Sequence, residues 1–493
     1  MIFSSPEYIL LFLPIAFFGY FCLNRIRFVL TAKSWLVAVS FFFYAYWNVV
    51  YLPLLIISIL FNFVVGNKLF QDPTLGRLRV SRHSLLVCGI ASNLALLGYF
   101  KYANFLIDNA NTVLNAGYNF PQILLPLGIS FFTFTQIAYL VDSYRGNARK
   151  YDLLNYTLFV SFFSYVIAGP IVHHDEMISQ FESGSTLSVD YSNIFRGIFI
   201  FSVGFFKKVI IADTFAIWAN AGFDSGMPLD FFRGWATSLS YTFQLYYDFS
   251  GYCDMGMGTA LLFNIRLPLN FNSPYKALNI QDFWRRWHIT LSRFLRNYLY
   301  IPLGGNRYSS FRVGFNLMVT FLLGGLWHGA NWMFVIWGAM HGLALVTHRV
   351  WKAVGIHMPK AVAWLLTFCF INVAWVFFRA RTMDDALRVL RGMADIKSLF
   401  HVPVKAIPTD DLAWGGWLMD YLLRWLPNGL AANILCFIAI GLALMMIPQR
   451  NSFALMNGNG HGIAKLSGMI LLFCIAMYSV MITKSPVFLY FQF

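Results

Sequence analysis

The chain has 493 residues, of which 58% are hydrophobic and only 12% carry a charge. Soluble globular domains carry about 25% charged residues, so the composition excludes an ordinary soluble protein and indicates a polytopic membrane protein. The net charge of +15 does not point to nucleic acid, because no basic domain with interleaved stacking aromatics is present. Basic cytoplasmic loops of a membrane protein explain the charge.

Long apolar runs predict an all-α polytopic membrane protein, since each membrane span needs about 20 apolar residues. The opening MIFSSPEYILLFLP lacks the basic start and cleavage site of a signal peptide and is predicted to be a retained first span. In the first half the runs lie near residues 8–23, 28–47, 50–66, 84–100, 121–141, 153–169 and 193–212. In the second half they lie near residues 235–265 (expected to be broken), 313–327, 331–347, 361–378, 433–447 and 466–483.

Lysine and arginine in the loops predict the orientation of the chain, because cytoplasmic loops are enriched in both. The N-terminus is expected outside, together with the acidic loop 170–192, which has no lysine or arginine. The loops predicted to be cytoplasmic are 24–33, 67–83, 142–152, 276–312, 348–360 and 448–465.

One membrane-embedded domain is predicted for residues 1–493, since no internal repeat or soluble domain is apparent. Its core is expected at about residues 84–380 and its C-terminal spans at 433–483. Residues 379–432 are expected to form a loop with short surface helices; the span count places it outside, whereas its several basic residues favour the cytoplasm, so the sequence leaves its side open.

A basic amphipathic segment carries the first histidine of interest. Residues 279–300 fit one continuous helix, with Asn279 as N-cap and Asp282 reaching back in a capping box. Apolar residues at i, i+3, i+4 and i+7 form a single stripe, and His288 falls on its border. Such a helix is expected to lie in the cytoplasmic interface, with its tryptophans toward lipid.

Four arginines lie on the opposite face of this helix, at positions 285, 286, 293 and 296. They could hold anionic lipid headgroups, or they could collect a phosphorylated cytoplasmic substrate, because guanidinium binds phosphate bidentately. The histidine at the stripe border favours the second interpretation.

The second histidine of interest, His328, lies in LLGGLWHGANW (322–332), where three glycines within six positions suggest a helix break or a close backbone approach. Non-helical backbone at membrane depth must line a cavity or be buried in protein. His328 is therefore expected to face a cavity, with Trp327 and Trp332 as apolar walls and Asn331 as a hydrogen-bonding group. A neutral imidazole there could take a proton from a hydroxyl that attacks a carbonyl.

Other polar residues have weaker interpretations. Asp248, in an apolar run, could orient a histidine or an arginine, or form a structural ion pair. His173 and His174 are expected in a solvated loop, although a metal is conceivable, and His341 is expected to be structural. No metal site is predicted. The predicted substrate-binding residues are Arg285, Arg286, Trp287, Arg293, Arg296, Asp248, Trp327, Asn331 and Trp332.

FWRRWHITLS (283–292) followed by GGLWHGANWMFVIWGAMHG (324–342) resembles the two-part signature of the membrane-bound O-acyltransferase family. QLYYDFSGYCDMGMG, SFFTFTQIAYLVD and the opening MIFSS are similar to its bacterial branch, which O-acetylates exopolysaccharides such as alginate. The resemblance covers most of residues 1–380 and is weaker beyond.

The resemblance implies a bundle of about 11–14 transmembrane or re-entrant helices with interfacial helices and a central channel, in the bacterial inner membrane. It implies that His328 is catalytic and that His288 is a second functional polar residue. It further implies acetyl-coenzyme A as donor substrate, no permanently bound cofactor, and a periplasmic or membrane-anchored SGNH-type acetyltransferase as partner. The polymer, alginate-like or cellulose-like, is reached through that partner.

Two alternatives remain open. D-alanyl transfer to teichoic acid would use a carrier-protein donor, and a membrane transporter would show repeat symmetry, which the sequence does not display. In the acetyltransferase interpretation, the imidazoles of His288 and His328 must reach one thioester. They are therefore expected to face a shared cavity within about 10 Å of each other.

Overall fold

The computed structural model describes residues 1–70, 81–400, 428–457 and 462–482, and all of the regular structure in these ranges is helical. The first helices are α1 (Leu13–Arg25), α2 (Val29–Ala45), α3 (Leu52–Leu69), α4 (Arg82–Leu97), α5 (Ala103–Leu114), α6 (Ile129–Arg145), α7 (Leu153–Ser161), α8 (His174–Glu182), α9 (Tyr191–Phe206) and α10 (Asp213–Asp224). Then follow α11 (Phe231–Leu262), α12 (Ile280–Trp284), α13 (Ile289–Leu295), α14 (Ser310–His328), α15 (Trp332–Val354), α16 (Lys360–Arg379), α17 (Met383–Ala394), α18 (Asn428–Met446), α19 (Ser452–Met456) and α20 (Ile463–Ile482).

Short π-helical stretches extend four of these helices. Tyr8–Phe12 precedes α1, and Gly98–Tyr102, Lys207–Ala212 and Arg296–Tyr300 follow α4, α9 and α13. Within the described residues, seven helices are long and apolar enough to cross a membrane. They are Tyr8–Arg25, Val49–Leu69, Arg82–Leu114, Ser310–His328, Trp332–Val354, Lys360–Arg379 and Lys465–Ile482. The all-α polytopic prediction is confirmed, and the protein is a multi-pass membrane protein.

Some predicted features fall partly outside the described residues. Of the region 379–432, the structure describes helix α17 and a short 3₁₀ segment at Ile396–Phe400, and residues 401–427 lie outside the described ranges. Residues 71–80 of the loop 67–83 and residues 458–461 of the loop 448–465 lie outside them as well.

The chain forms two compact units. The first contains Met1–Phe201, Met255–Leu269 and Arg293–Pro302. The second contains Ser202–Asp254, Asn270–Ser292 and Leu303–Phe493. The predicted single domain stays a prediction.

Within the first unit, small and polar residues let helices α3, α4 and α6 approach closely. Asn62 of α3 and Asn93 of α4 donate hydrogen bonds to each other, with Nδ2–Oδ1 distances of 3.1 and 2.6 Å. A Cβ at Gly66 would lie 2.3 Å from the Tyr139 ring of α6. Small residues and paired amides are the usual means of helix association in a membrane, where apolar contact alone gives little preference.

The apolar run 153–169, which reads as a membrane span, does not cross. Helix α7 covers only nine residues, Leu153–Ser161, and residues 162–173 are non-helical, although every residue from 155 to 174 is buried. Non-helical backbone of this kind is tolerated at membrane depth only when protein surrounds it. The prediction of a span here is wrong, because hydropathy cannot distinguish burial in protein from burial in lipid.

Contacts across this buried stretch place its two flanks on the same side. His174 Nε2 lies 3.3 Å from Asp142 Oδ2, and the Tyr151 hydroxyl lies 2.9 Å from His174 Nδ1. Arg149 forms an ion pair with Glu182. The prediction that loop 170–192 lies opposite loop 142–152 is therefore wrong.

Helix α11 is continuous over 32 residues, so the predicted break in 235–265 is wrong as well. The predicted side of loop 276–312 stays a prediction, and within the first unit Arg293 forms an ion pair with Glu176.

Within the second unit, glycines bring α14 and α15 into backbone contact. A Cβ at Gly325 would lie 2.2 Å from the Phe334 carbonyl oxygen, and one at Gly338 would lie 2.3 Å from the Phe321 carbonyl oxygen. The close-approach interpretation of the glycine-rich segment is thus confirmed for Gly325. This pairing fixes the end of α14, where His328 lies.

Candidate functional site: a paired-histidine centre

His288 lies at a break between two short helices, and the predicted continuous helix 279–300 is wrong. The helix begins as expected, because the Asn279 side chain accepts a hydrogen bond from the backbone N–H of Asp282. The Asp282 carboxylate, however, accepts from Arg286 Nε at 3.0 Å. Helix α12 then ends at Trp284, and His288 adopts a left-handed φ of 42°. Such a backbone costs about 1–3 kcal/mol for a residue other than glycine.

Long-range backbone bonds hold this break in place. The N–H of Asn272 donates to the Arg286 carbonyl, and the N–H of Ile289 donates to the Asn270 carbonyl, both at 2.9 Å. The segment 270–272 therefore takes over backbone groups that a continuous helix would have paired internally. His288 becomes fully buried instead of lying at a helix border.

The tryptophan face of the segment packs in protein, so the expected lipid contact is wrong. Trp284 and Trp287 are 8% and 2% exposed. The Trp287 ring stacks on Phe283 at 5.6 Å and lies 4.8 Å from the Trp375 ring. Trp287 is a predicted substrate-binding residue, but it packs in the core among aromatic rings, and such ring pairs stabilise the fold.

Asn270 determines which nitrogen of His288 carries the proton. Its Oδ1 lies 3.3 Å from the backbone nitrogen of Thr290, 2.9 Å from the Thr290 hydroxyl and 3.1 Å from His288 Nδ1. Because a backbone N–H can only donate, this side-chain atom must be the amide oxygen, which can only accept. His288 Nδ1 therefore carries the hydrogen. Nε2 carries a lone pair instead and can accept a hydrogen bond.

Burial keeps this imidazole neutral. It lowers the pKa of His288 to about 3, because a charged ring would lose its hydration. His288 Nε2 has no hydrogen-bonding partner among the described residues. The ring thus offers one buried acceptor atom at any physiological pH.

The rings of His288 and His328 lie close together, with centroids 6.4 Å apart. The Trp327 ring contacts both, at 6.1 Å from His288 and 5.1 Å from His328. The expectation that the two imidazoles lie within about 10 Å is confirmed. Both histidines belong to the second unit, and both are at least 96% buried.

The fold of the α14–α15 turn places His328. Helix α14 ends at this residue, and the extended Gly329 follows with φ of −167°. A Cβ at Gly329 would lie 2.1 Å from the Phe334 ring, so a larger residue would displace the turn. The His328 ring packs at 5.1 Å against Trp337 and at 5.1 Å against Phe378, which gives it an aromatic enclosure.

Two predicted neighbours of His328 have other positions. Asn331 caps α15 by accepting from the N–H of Met333, and its Nδ2 donates to the Arg381 carbonyl at 3.2 Å. Trp332 is 57% exposed, so the prediction that it forms an internal wall is wrong. Trp337 and Phe378 form the walls around His328 instead. The glycine spacing of the segment could not predict these two contacts.

His341 joins the same aromatic cluster. Its Nδ1 accepts a hydrogen bond from Trp284 Nε1 at 3.2 Å, and its ring lies 4.7 Å from Trp337, the residue that also contacts His328. The prediction of a structural histidine agrees with this position. Through this hydrogen bond, His341 links α12 to α15.

The four arginines do not form one free basic face. Arg286 pairs with Asp282, with Nε–Oδ2 at 3.0 Å, and Arg293 binds Glu176 through both guanidinium nitrogens, with Nη2–Oε2 at 2.9 Å. Arg285 and Arg296 are exposed. The helix break lies between Arg286 and Arg293 in the chain. The common face that was calculated for one continuous helix therefore does not apply to the four arginines.

Asp248 forms an ion pair rather than the predicted contact with a histidine or an arginine. Its Oδ1 lies 3.0 Å from Lys208 Nζ, and the same ammonium lies 2.6 Å from Asp213 Oδ1. The alternative of a structural ion pair is therefore confirmed.

His173 and His174 are buried, at 9% and 2% exposure, so the predicted solvated loop is wrong. Across the described residues, no group of three or more histidine, cysteine, aspartate or glutamate side chains is placed to hold a metal ion.

Comparison with known proteins shows which family the chain belongs to. The profile of MBOAT, the membrane-bound O-acyltransferase family, matches residues 8–383, which include both histidines. A peptidoglycan O-acetyltransferase of Helicobacter pylori is 45% identical over 100% of this chain and 98% of its own length. A probable alginate O-acetylase AlgI of Pseudomonas aeruginosa is 40% identical over 91% of this chain and 82% of its own length.

A more distant relative is a teichoic acid D-alanyltransferase of Bacillus subtilis, which is 27% identical over 52% of this chain and 69% of its own length. The profile covers well over half of the chain, and two relatives exceed 30% identity across most of it. The chain belongs to the membrane-bound O-acyltransferase family and is a membrane-bound O-acyltransferase.

Proposed function

We propose that this protein moves acetyl groups from cytoplasmic acetyl-coenzyme A to the outer side of the inner membrane for O-acetylation of a cell-envelope polysaccharide. The observation that carries the proposal is the pair of buried imidazoles with ring centroids 6.4 Å apart in an aromatic enclosure. The names of the relatives, a peptidoglycan O-acetyltransferase and a probable alginate O-acetylase, support acetyl as the group and a polysaccharide as the destination.

His328 is the proposed general base. A hydroxyl oxygen attacks the thioester carbonyl, and the imidazole of His328 takes the hydroxyl proton. The carbon–oxygen bond forms as the carbon–sulfur bond breaks, and the imidazolium returns the proton to the thiolate that leaves. A positioned base of this kind contributes about 10²–10⁴-fold to the rate.

His288 is the proposed partner of that step. Its Nε2 lone pair can accept a hydrogen bond from the second ring nitrogen of His328, and this contact is strongest when His328 has taken the hydroxyl proton and carries positive charge. Since Asn270 holds the Nδ1 hydrogen, this acceptor is oriented before the donor arrives, and preorganised dipoles act most strongly in a buried site.

Arg285 is the proposed contact for the donor's phosphates, because it is exposed in the unit that carries both histidines, whereas Arg286 already binds a carboxylate. On the other side of the membrane, an SGNH-type acetyltransferase is the proposed recipient that delivers acetyl to the polymer. Peptidoglycan is the acceptor we favour, since that relative aligns over the whole chain. An alginate-like or cellulose-like exopolysaccharide is the alternative.

A deletion strain complemented with the wild-type chain or with His328→Ala tests the proposal. We expect base-labile acetate on purified peptidoglycan with the wild type and its loss with His328→Ala at equal membrane abundance. Acetate that is unchanged on peptidoglycan and absent from secreted polysaccharide would instead identify the exopolysaccharide as acceptor.

D-alanyl transfer is the second candidate, because the teichoic acid D-alanyltransferase relative covers half of the chain. Purified protein offered labelled acetyl-coenzyme A or a D-alanyl carrier protein separates the two. Consumption of the carrier-bound alanyl group alone would replace acetyl transfer as the function.

A further inference from the structure

A polar cavity lies in the first unit, among residues that the acyl-transfer proposal does not use. It has a volume of about 440 Å³ and is lined by the end of α6, the start of α8 and residues 297–301. Ligand pockets occupy about 300–1,000 Å³, so a headgroup-sized molecule fits. The side chains that matter are Asp142, Arg145, His173, Asp175 and Ile301.

A chain of hydrogen bonds leads into this cavity, and each proton in it can be assigned from Asp142 outward. Burial raises the pKa of this carboxyl, but the hydrogen bonds from His174 and Tyr298 outweigh burial and hold the pKa below its usual value. The carboxylate therefore accepts from both: Tyr298 donates from its hydroxyl to Oδ2 at 2.5 Å, and His174 donates from Nε2 at 3.3 Å.

The network ends on an unpaired nitrogen of His173. Tyr298 has one hydroxyl hydrogen, which it donates to Asp142. The hydroxyl oxygen of Tyr298 must therefore accept the hydrogen bond from His173 Nδ1 at 3.3 Å. Burial and the Arg293 guanidinium lower the pKa of His173, which keeps the ring neutral, with its hydrogen on Nδ1. Nε2 is then a hydrogen-bond acceptor, and it is buried without a partner among the described residues, in a side chain that lines the cavity.

The cavity therefore offers more acceptors than donors at its inner part. Two carboxylates, Asp142 and Asp175, and one guanidinium, Arg145, line it, which gives these three groups a formal charge of −2 + 1 = −1. An unpaired buried acceptor is stabilised by a ligand that donates hydrogen bonds. The negative balance favours a ligand whose donor group is positive.

Arg145 and Ile301 define what surrounds that positive group. Arg145 is exposed and lies over the Tyr298 ring at 5.9 Å, where it can meet an anion. Ile301 is 48% exposed and lines the same cavity. A primary ammonium, an anion and an apolar continuation are the three parts of an amine-bearing phospholipid.

We infer that this cavity binds the phosphoethanolamine headgroup of a membrane phospholipid. The ammonium donates to His173 Nε2 and to the carboxylates, the phosphate meets Arg145, and the acyl part passes over Ile301. The inference does not depend on the acyl-transfer proposal, because the cavity shares no residue with the paired histidines.

Native mass spectrometry of the purified protein tests this, with dioleoyl phosphatidylethanolamine compared with dioleoyl phosphatidylcholine. The two lipids share their acyl chains, but the trimethylammonium of the second has no N–H to donate. We expect the first lipid to bind about tenfold more tightly. We expect His173→Leu to reduce that preference, while His173→Gln, which retains an acceptor, preserves it. We expect Arg145→Gln to weaken the binding of both lipids, which share the phosphate, and Lys150→Gln, at an exposed neighbour outside the cavity, to leave both affinities unchanged.

Equal binding of the two lipids would overturn the inference, and so would a preference that survives His173→Leu or a lipid affinity that is unchanged in Arg145→Gln. Since His173→Leu alters a buried position, Arg145→Gln at the exposed rim keeps the test valid if the first variant fails to fold. Displacement of the lipid by soluble phosphoethanolamine at equal concentration would assign the site to a soluble molecule instead.

Discussion

Single residues determine which nitrogen of His288 is available for chemistry. Asn270 Oδ1 accepts from Thr290 and from His288 Nδ1, and a ring held in this way presents Nε2 in one orientation. Residues that orient a functional imidazole affect activity by about 10–100-fold in metal sites, and the physical reason, a fixed tautomer, applies equally here.

Asn270→Ala should lower kcat by about 10–100-fold and leave the donor KM unchanged, because Asn270 acts on His288 and not on the donor. Asn270→Asp, which keeps an acceptor oxygen, should recover part of the loss. Steady-state kinetics on variants of matched thermal stability provide the measurement. An equal loss in both variants, or a rise in donor KM alone, would contradict the positioning role.

The low pKa of His288 makes a prediction about stability against pH. Unfolded histidine has a pKa near 6.5, and burial lowers the folded value to about 3. Between these values the unfolded state binds the extra proton, so the free energy of unfolding falls as pH falls below about 6.5 and is unaffected above it.

His288→Phe should therefore lose less thermal stability than the wild type on acidification from pH 7.5 to pH 5. The other titrating groups remain in both proteins, so the difference between the two shifts in Tm isolates His288. Identical shifts in detergent melting experiments would show that the buried ring is already charged or exposed.

At the scale of helices, local signals predict the starts of elements better than their interruptions. Asn279 predicts its cap because capping involves residues three positions apart. The break before His288 was not predictable, because the backbone bonds that hold it come from residues 270–272. Likewise, the buried stretch 162–173 has the hydropathy of a span, and only tertiary contacts exclude one.

The contact between α14 and α15 predicts a difference between two glycines of the same helix. Gly325→Ala should lower Tm and acetyl transfer together, because its Cβ would lie 2.2 Å from the Phe334 carbonyl oxygen and would move the end of α14 that carries His328. Gly314→Ala is the control, since its nearest neighbour would be 3.6 Å away, and it should raise helix stability by up to about 1 kcal/mol. Equal tolerance at both positions would mean that the helices do not pack this closely.

At the scale of the whole molecule, loop charge predicts a side for each loop, but the number of spans between the loops depends on tertiary contacts, because the run 153–169 holds only the nine-residue α7 and α11 is continuous. Both signature histidines could be predicted from their unusual setting in apolar sequence, and their proximity from the requirement that both reach one thioester. The ion pairing of the arginines could not be predicted, because Glu176, the acidic partner of Arg293, lies 117 positions away in the chain.

Residues 150 and 188 should label from the same side of the membrane. In a cysteine-free background, Lys150→Cys and Ser188→Cys, both exposed, are expected to react with an impermeant maleimide in inside-out vesicles. Arg381→Cys, which follows α16 in the region that the span count assigns to the outside, is expected to react only in right-side-out preparations. Labelling of positions 150 and 188 from opposite sides would restore a crossing at 153–169.

The most direct test of the paired-histidine centre is the rate of acetyl transfer from labelled acetyl-coenzyme A by purified His328→Ala, compared with the wild type and with His357→Ala, an exposed histidine far along the chain. With Tm matched, we predict a loss of about 10²–10⁴-fold for His328→Ala and a normal rate for His357→Ala. A folded His328→Ala protein that transfers acetyl at a near-wild-type rate would contradict the account.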